Sequence, residues 1–284
     1  MKPSADFSQP VAVELTTGVG TLRGLRWGRP GNARVLALHG WLDNAASFAR
    51  LAPLLVDADV VAIDLPGHGC SDHRPQGARY HFVDYVPTVL LAMSELGWPS
   101  CVLIGHSLGA AIALFTAATE PDRVRGLFLI DGLGPYSEKP HNAPDRLQRS
   151  IRRFADGSVT VTPEYPDLDV MIEARHRVGK ISRAGAALIA TRNAVQGEQG
   201  FRWRTDPRLR LPNPQYLTEE QVLAFLRKVK APTVLGIASE GLLQGRPQTK
   251  ERISAFSKID VVELPGAHHL HLDDPQLVAE AVNF

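Results

Sequence analysis

Short runs of apolar, mostly β-branched residues recur along the chain, each followed by a polar or Gly-containing turn and then a longer segment. The runs are Val35 to Leu38, Val60 to Ile63, Val102 to Ile104, Leu127 to Ile130, Val234 to Ile237 and Val261 to Leu264. This rhythm predicts strands alternating with helices. The runs are continuously apolar, so the strands are expected to be buried on both faces, in a mostly parallel sheet covered by helices on both sides. Ahead of them, Val11 to Leu15 and Thr21 to Trp27 alternate around glycines like an antiparallel hairpin at the sheet edge, which brings the expected sheet to eight strands.

From about Leu133 to Lys230 the rhythm breaks. Strong strand runs are missing, and proline-rich stretches appear at Pro140 to Pro144 and Pro207 to Pro214. The segment holds 17 basic and 11 acidic residues, whereas the whole chain carries a formal net charge of only +1. Residues 133–230 therefore read as a mainly helical cap inserted into a core made of residues 1–132 and 231–284. No internal repeat or low-complexity tract is present.

Composition narrows the function classes. With 284 residues and 44% hydrophobic content, the chain can bury a substantial core. Lys and Arg number 31 against 30 Asp and Glu. That balance gives no long-range field for nucleic acid or an anionic membrane, so a small-molecule partner is expected. No run approaches the ~20 apolar residues of a membrane span, and the glycine- and charge-containing start lacks the apolar core of a secretory signal. A cytoplasmic location is the simplest expectation. The two cysteines, Cys70 and Cys101, cannot form a disulfide framework, and Cys101 opens an apolar run as a small hydrophobe. Nothing in the sequence specifies the oligomeric state.

The chemistry begins where Cys101-Val102-Leu103-Ile104 runs into Gly105-His106-Ser107-Leu108-Gly109, followed by the Ala-rich segment Ala110 to Phe115. G-x-S-x-G alone recurs by chance in roughly one chain in ten of this size. With a strand before it and a helix after it, the motif becomes a nucleophile elbow that forces Ser107 out at the top of the sheet. The N–H of Leu108 then sits at a helix N-terminus, aimed at the attacked carbonyl. A second oxyanion donor is expected from the turn after an earlier strand, where Leu38-His39-Gly40-Trp41 offers the N–H of Trp41.

A serine hydroxyl needs a general base within hydrogen-bond reach. In a chain of this organisation the order is Ser, acid, His. The C-terminal loop Gly266-Ala267-His268-His269-Leu270-His271 supplies the base, assigned to His268, with His269 and His271 lining the pocket or serving the structure. The three histidines raise the question of a metal site, yet the sequence places no second ligand cluster to complete one. No metal and no cofactor are expected. The acid is assigned to Glu240, the carboxylate in the turn after Val234 to Ile237, with Asp131 at the end of Leu127 to Ile130 as its rival.

Together these residues resemble the α/β-hydrolase superfamily and, within it, the serine hydrolase-like proteins. The wider resemblance rests on Asp64-Leu65-Pro66-Gly67-His68-Gly69-Cys70-Ser71, the elbow and the Gly266-Ala267-His268 loop. The narrower one rests on His39 to Asn44, Phe201 to Leu209 and Ser239 to Leu243. The usual superfamily acid is an Asp at the position of Gly241, so Glu240 falls one residue early. The resemblance implies an α/β-hydrolase fold with a helical cap but says little about substrate.

A Ser nucleophile with a His base predicts an acyl-enzyme intermediate, hence ester substrates with small or medium acyl groups. Three alternatives stand beside this expectation: a thioesterase, a C–C bond hydrolase with the same triad, and a catalytically silent binding protein on the same fold. The cap arginines Arg149, Arg152, Arg153, Arg175, Arg177, Arg202 and Arg204 read as a solvated, charge-paired surface, the alternative being a pocket for an anionic acyl group. Trp41, Phe201 and Trp203 are candidate acyl-pocket aromatics.

Overall fold

The computed structural model describes residues 9–156 and 163–282. The chain opens with β1 (Val11–Thr17), β2 (Gly20–Trp27), β3 (Ala33–Leu38) and β4 (Ala58–Ile63), and continues through helix α1 (Tyr85–Glu95) to β5 (Cys101–His106). Helix α2 (Leu108–Thr119) and β6 (Val124–Ile130) follow. Next come helices α3 (Ala143–Ala155), α4 (Leu168–Gly179) and α5 (Arg183–Asn193), the short strands β7 (Ala194–Gln196) and β8 (Phe201–Trp203), and helix α6 (Glu219–Leu226). The core resumes with β9 (Thr233–Glu240), α7 (Gln248–Ser254) and β10 (Ile259–Ala267), and the described chain closes with α8 (Leu270–Asp273) and α9 (Pro275–Ala281).

Eight strands form one sheet in the order β1-β2-β4-β3-β5-β6-β9-β10. β1 and β2 pair antiparallel, as do β2 and β4, and every later pairing is parallel. This is the α/β-hydrolase fold expected from the apolar runs. Successive strand residues point to opposite faces, and the packing follows: Leu36, Leu38, Val61 and Ile63 join one apolar cluster with α1, α2 and α6, whereas Val35, Ala37, Val60 and Ala62 join another with α9. Continuous apolar runs satisfy both faces at once. β10 differs because it is an edge strand, and Val261 and Glu263 are exposed.

Among the described residues, the segment between β6 and β9 contributes no strand to this sheet. Its helices start on side-chain caps: Asp167 accepts from the Val170 N–H, Ser182 from the Gly185 N–H, and Thr218 forms a capping box with Gln221. The ribbon β7–β8 was not expected. Three residues per strand are too few to show a period, and the Gly197 to Gly200 turn that joins them holds the register through a bond from the Gly197 N–H to the Gly200 carbonyl.

Candidate active site

Ser107 sits between β5 and α2 with φ of 52°, a left-handed conformation that costs a non-glycine residue energy and is tolerated where the surroundings dictate it. They do so here through close packing. A Cβ at Gly105 would lie 2.5 Å from Ala110 Cα, and one at Gly132 would lie 2.6 Å from the Ser107 carbonyl. A Cβ at Gly109 would strike the Leu38 carbonyl at the end of β3. The N-terminus of α2 is thus pressed against the strand that leads into Gly40 and Trp41. Leu108 opens α2, where a backbone N–H has no acceptor within the helix. Trp41 lies in the turn after β3, closed by a bond from the Asp43 N–H to the Gly40 carbonyl, with its ring half exposed and its indole N–H donating to the Leu209 carbonyl.

The loop after β10 brings His268 beside the elbow. His106, the residue before Ser107, donates from Nε2 to the His268 carbonyl at 3.0 Å, and the two rings stand 4.5 Å apart. The carboxylate that meets His268 is Asp131, 2.5 Å from Nδ1, and not the expected Glu240. Glu240 ends β9 exposed, opposite Ala267 in the ladder. Asp131 follows β6, whose neighbour is β9, and its own N–H donates to the Gly236 carbonyl. The Leu242 N–H donates to Oδ2 at 2.7 Å, and the Leu243 N–H lies 3.4 Å from Oδ1. The turn searched for an acid supplies amide donors to one. Burial pushes the Asp131 carboxyl upward, but the His268 and Leu242 donors outweigh it and hold the group below the usual carboxylate range.

Beneath this pair lies a polar cluster that the sequence does not foretell. Asp43, buried, pairs through Oδ1 with Arg175 of α4 at 2.5 Å, and its Oδ2 stands 3.3 Å from His269 Nε2 and 3.6 Å from His106 Nδ1. Burial opposes charge on Asp43, yet Arg175, His269 and His106 hold it well below the ordinary range. Burial pushes the His106 imidazole down to about 3 and His271 well below its usual value. One donor atom each from Asp43, His106 and His269 fall within 4.8 Å of one another, a spacing that could hold a metal ion. The second cluster that the sequence does not place beside the histidines is present in space. Its carboxylate is already met by the Arg175 cation. Of the seven arginines singled out in the segment between β6 and β9, Arg175 is mostly buried and ion-paired, while Arg149, Arg152, Arg153, Arg177, Arg202 and Arg204 are exposed. Both cysteines are free.

Comparison with known proteins identifies the family. Residues 33–160 match the family described as the alpha/beta hydrolase fold. A protein of Drosophila melanogaster described as a probable serine hydrolase is 32% identical over 273 residues, covering 92% of this chain and 82% of its own length. The chain belongs to the α/β hydrolases, among the serine hydrolase-like proteins. The crystal structure of a hypothetical protein from Pseudomonas aeruginosa PAO1 superposes with a TM-score of 0.91 at 40% identity, covering 95% of this chain and 96% of that one. A thioesterase domain from the curacin biosynthetic pathway reaches a TM-score of 0.83 at 25% identity, covering 96% of this chain and 98% of its own. Membership makes the chain a hydrolase of this fold. No helix among the described residues is long and apolar enough to cross a membrane.

Proposed function

We propose that this serine hydrolase-like protein cleaves carboxylic esters of small or medium acyl groups through an acyl-enzyme on Ser107, with His268 as general base and Asp131 as the acid of the triad. The observation that carries the reading is the Asp131–His268 hydrogen bond, formed beside an elbow whose serine is held at positive φ. Asp131 accepts from Nδ1, which leaves Nε2 unprotonated to take the Ser107 hydroxyl proton as Oγ attacks the carbonyl carbon. Negative charge then develops on the carbonyl oxygen, where the N–H groups of Trp41 and Leu108 receive it. One such donor is typically worth ~3 kcal/mol of barrier. The imidazolium returns its proton to the leaving alcohol, and a water activated by His268 releases the acid from Ser107.

A thioester enters the same sequence with a thiol as leaving group. The likeness to a thioesterase domain at 25% identity keeps that substrate class as the second reading. Intact-mass measurement after fluorophosphonate treatment, with peptide mapping, tests the site. One adduct on Ser107, absent in Ser107→Ala, is expected, and matched oxygen and thioester pairs then separate the two classes. A folded protein that takes no adduct would overturn the triad in favour of a silent binding protein.

A further inference from the structure

Asp43 contacts sequence neighbours of three of the proposed functional residues, Trp41, Ser107 and His268. Its N–H closes the turn on Gly40 that holds Trp41, at 3.1 Å. Its Oδ2 faces His106, which precedes Ser107, and His269, which follows His268. His106 in turn bonds the His268 carbonyl. The fourth contact comes from outside the core: Arg175 of α4, 132 residues away in sequence, reaches Oδ1 and also lies 3.4 Å from His269 Nε2. One buried carboxylate therefore joins the oxyanion turn, the elbow, the base loop and the cap.

We propose that Asp43 and Arg175 are positioning residues for the hydrolytic reaction, so that seating of the cap through this ion pair sets the relative placement of Ser107, His268 and the Trp41 N–H. The inference rests on the proposed triad. Its physical basis is the cost of an unpaired buried charge. Without the Arg175 guanidinium the carboxylate keeps only the His106 and His269 rings as close side-chain partners, and it must turn toward solvent or draw those rings toward itself. Drawing the rings moves the residues bonded covalently to Ser107 and His268, turning away disturbs the Gly40–Asp43 turn that holds Trp41, and displacement of about 1 Å in such a site costs on the order of 100-fold in rate. Arg175 acts through Asp43 and has no step of its own in the chemistry.

The test compares R175Q, R175K and D43N with the wild-type full chain, using a chromogenic short-chain ester, the rate of fluorophosphonate labelling and the circular dichroism of each protein. R175Q is expected to fold, to lose roughly 10- to 100-fold in kcat with KM within about threefold of wild type, and to label more slowly in proportion. R175K keeps the charge and should recover much of the loss, whereas D43N should resemble R175Q. A folded R175Q with kcat within twofold of wild type would overturn the inference. So would a raised KM at unchanged kcat, which would make Arg175 a substrate-binding residue. If D43N does not fold, the two Arg175 variants decide. Failure of the wild type itself to label would strike the proposed triad instead, and that result is read before any variant is made.

Discussion

Gly241 leaves room for Asp131, because a Cβ at Gly241 would collide with both oxygens and the Cγ of the Asp131 carboxyl group. The two residues lie on the loops after adjacent parallel strands, β9 and β6. The space where the superfamily usually carries its acid is thus filled here by an acid from the neighbouring strand, fixed by the amides of Leu242 and Leu243. The side chain comes from a different strand end, but the carboxylate is delivered to the same imidazole.

Asp131→Asn should therefore lower kcat by roughly 1,000- to 10,000-fold, since an amide leaves the imidazole free to hold its proton on the wrong nitrogen. Glu240→Gln, at an exposed position, should stay within about twofold of wild type. Steady-state ester hydrolysis by the two purified variants checks both, and the reverse ranking would restore Glu240 as the acid.

Exchange of the two positions is a sharper test. D131G removes the carboxylate, and G241D in the same chain returns one from the usual strand end into the space just vacated. The double variant is expected to recover at least about tenfold in kcat over D131G alone, while G241D by itself should be impaired because two carboxyl groups then compete for one space. An inactive double variant whose fold is intact would show that the loop after β9 cannot present an acid in this protein.

How legible all this was in the sequence depended on whether the signal was local. Six strands of the large sheet were readable as apolar runs, β1 and β2 as an alternating hairpin, and the elbow was readable because strand, motif and helix are consecutive. The acid was not. Glu240 was the carboxylate nearest the expected place along the chain, and the choice of Asp131 rests on the pairing of Ile130 with Gly236, a relationship that only the sheet order creates. Arg175 was one of thirteen arginines between Leu133 and Lys230, with nothing in its sequence surroundings to distinguish the one that reaches Asp43.

The segment between β6 and β9 is also fastened at a second place. Arg192, the penultimate residue of α5, meets Asp64 with Nε at 3.0 Å and Nη2 at 2.8 Å, and Asp64 is fully buried and bonded to the Ala45 and Cys70 amides. Those two amides keep part of the charge satisfied when the guanidinium is removed. Arg192→Ala is expected to destabilise the fold by about 3 kcal/mol, at the lower end of what breaking a buried pair costs. Denaturant unfolding measures it, and a change below about 1 kcal/mol would mean that the pair is solvated in solution.

Four fully buried histidines should make the fold sensitive to mild acid. Burial pushes His68 and His106 down to about 3, lowers His39, and sets His271 well below its usual range. Each is neutral when folded at a pH where the unfolded chain, with an ordinary value of ~6.5, binds a proton. The stability this contributes is therefore present above about pH 6.5 and is lost as pH falls from there toward 3. Each histidine adds up to ~1.4 kcal/mol per pH unit to the slope. His68 is the best one to remove, since its ring packs 5.0 Å from His39 and 6.4 Å from Tyr85 and the proposed mechanism gives it no role. In His68→Phe the slope of unfolding free energy between about pH 4.5 and 6, above most carboxylate titrations, should fall by close to one proton. An unchanged slope would mean that His68 is charged in the folded protein, with its proton held by the Pro66 carbonyl that Nδ1 faces at 3.2 Å.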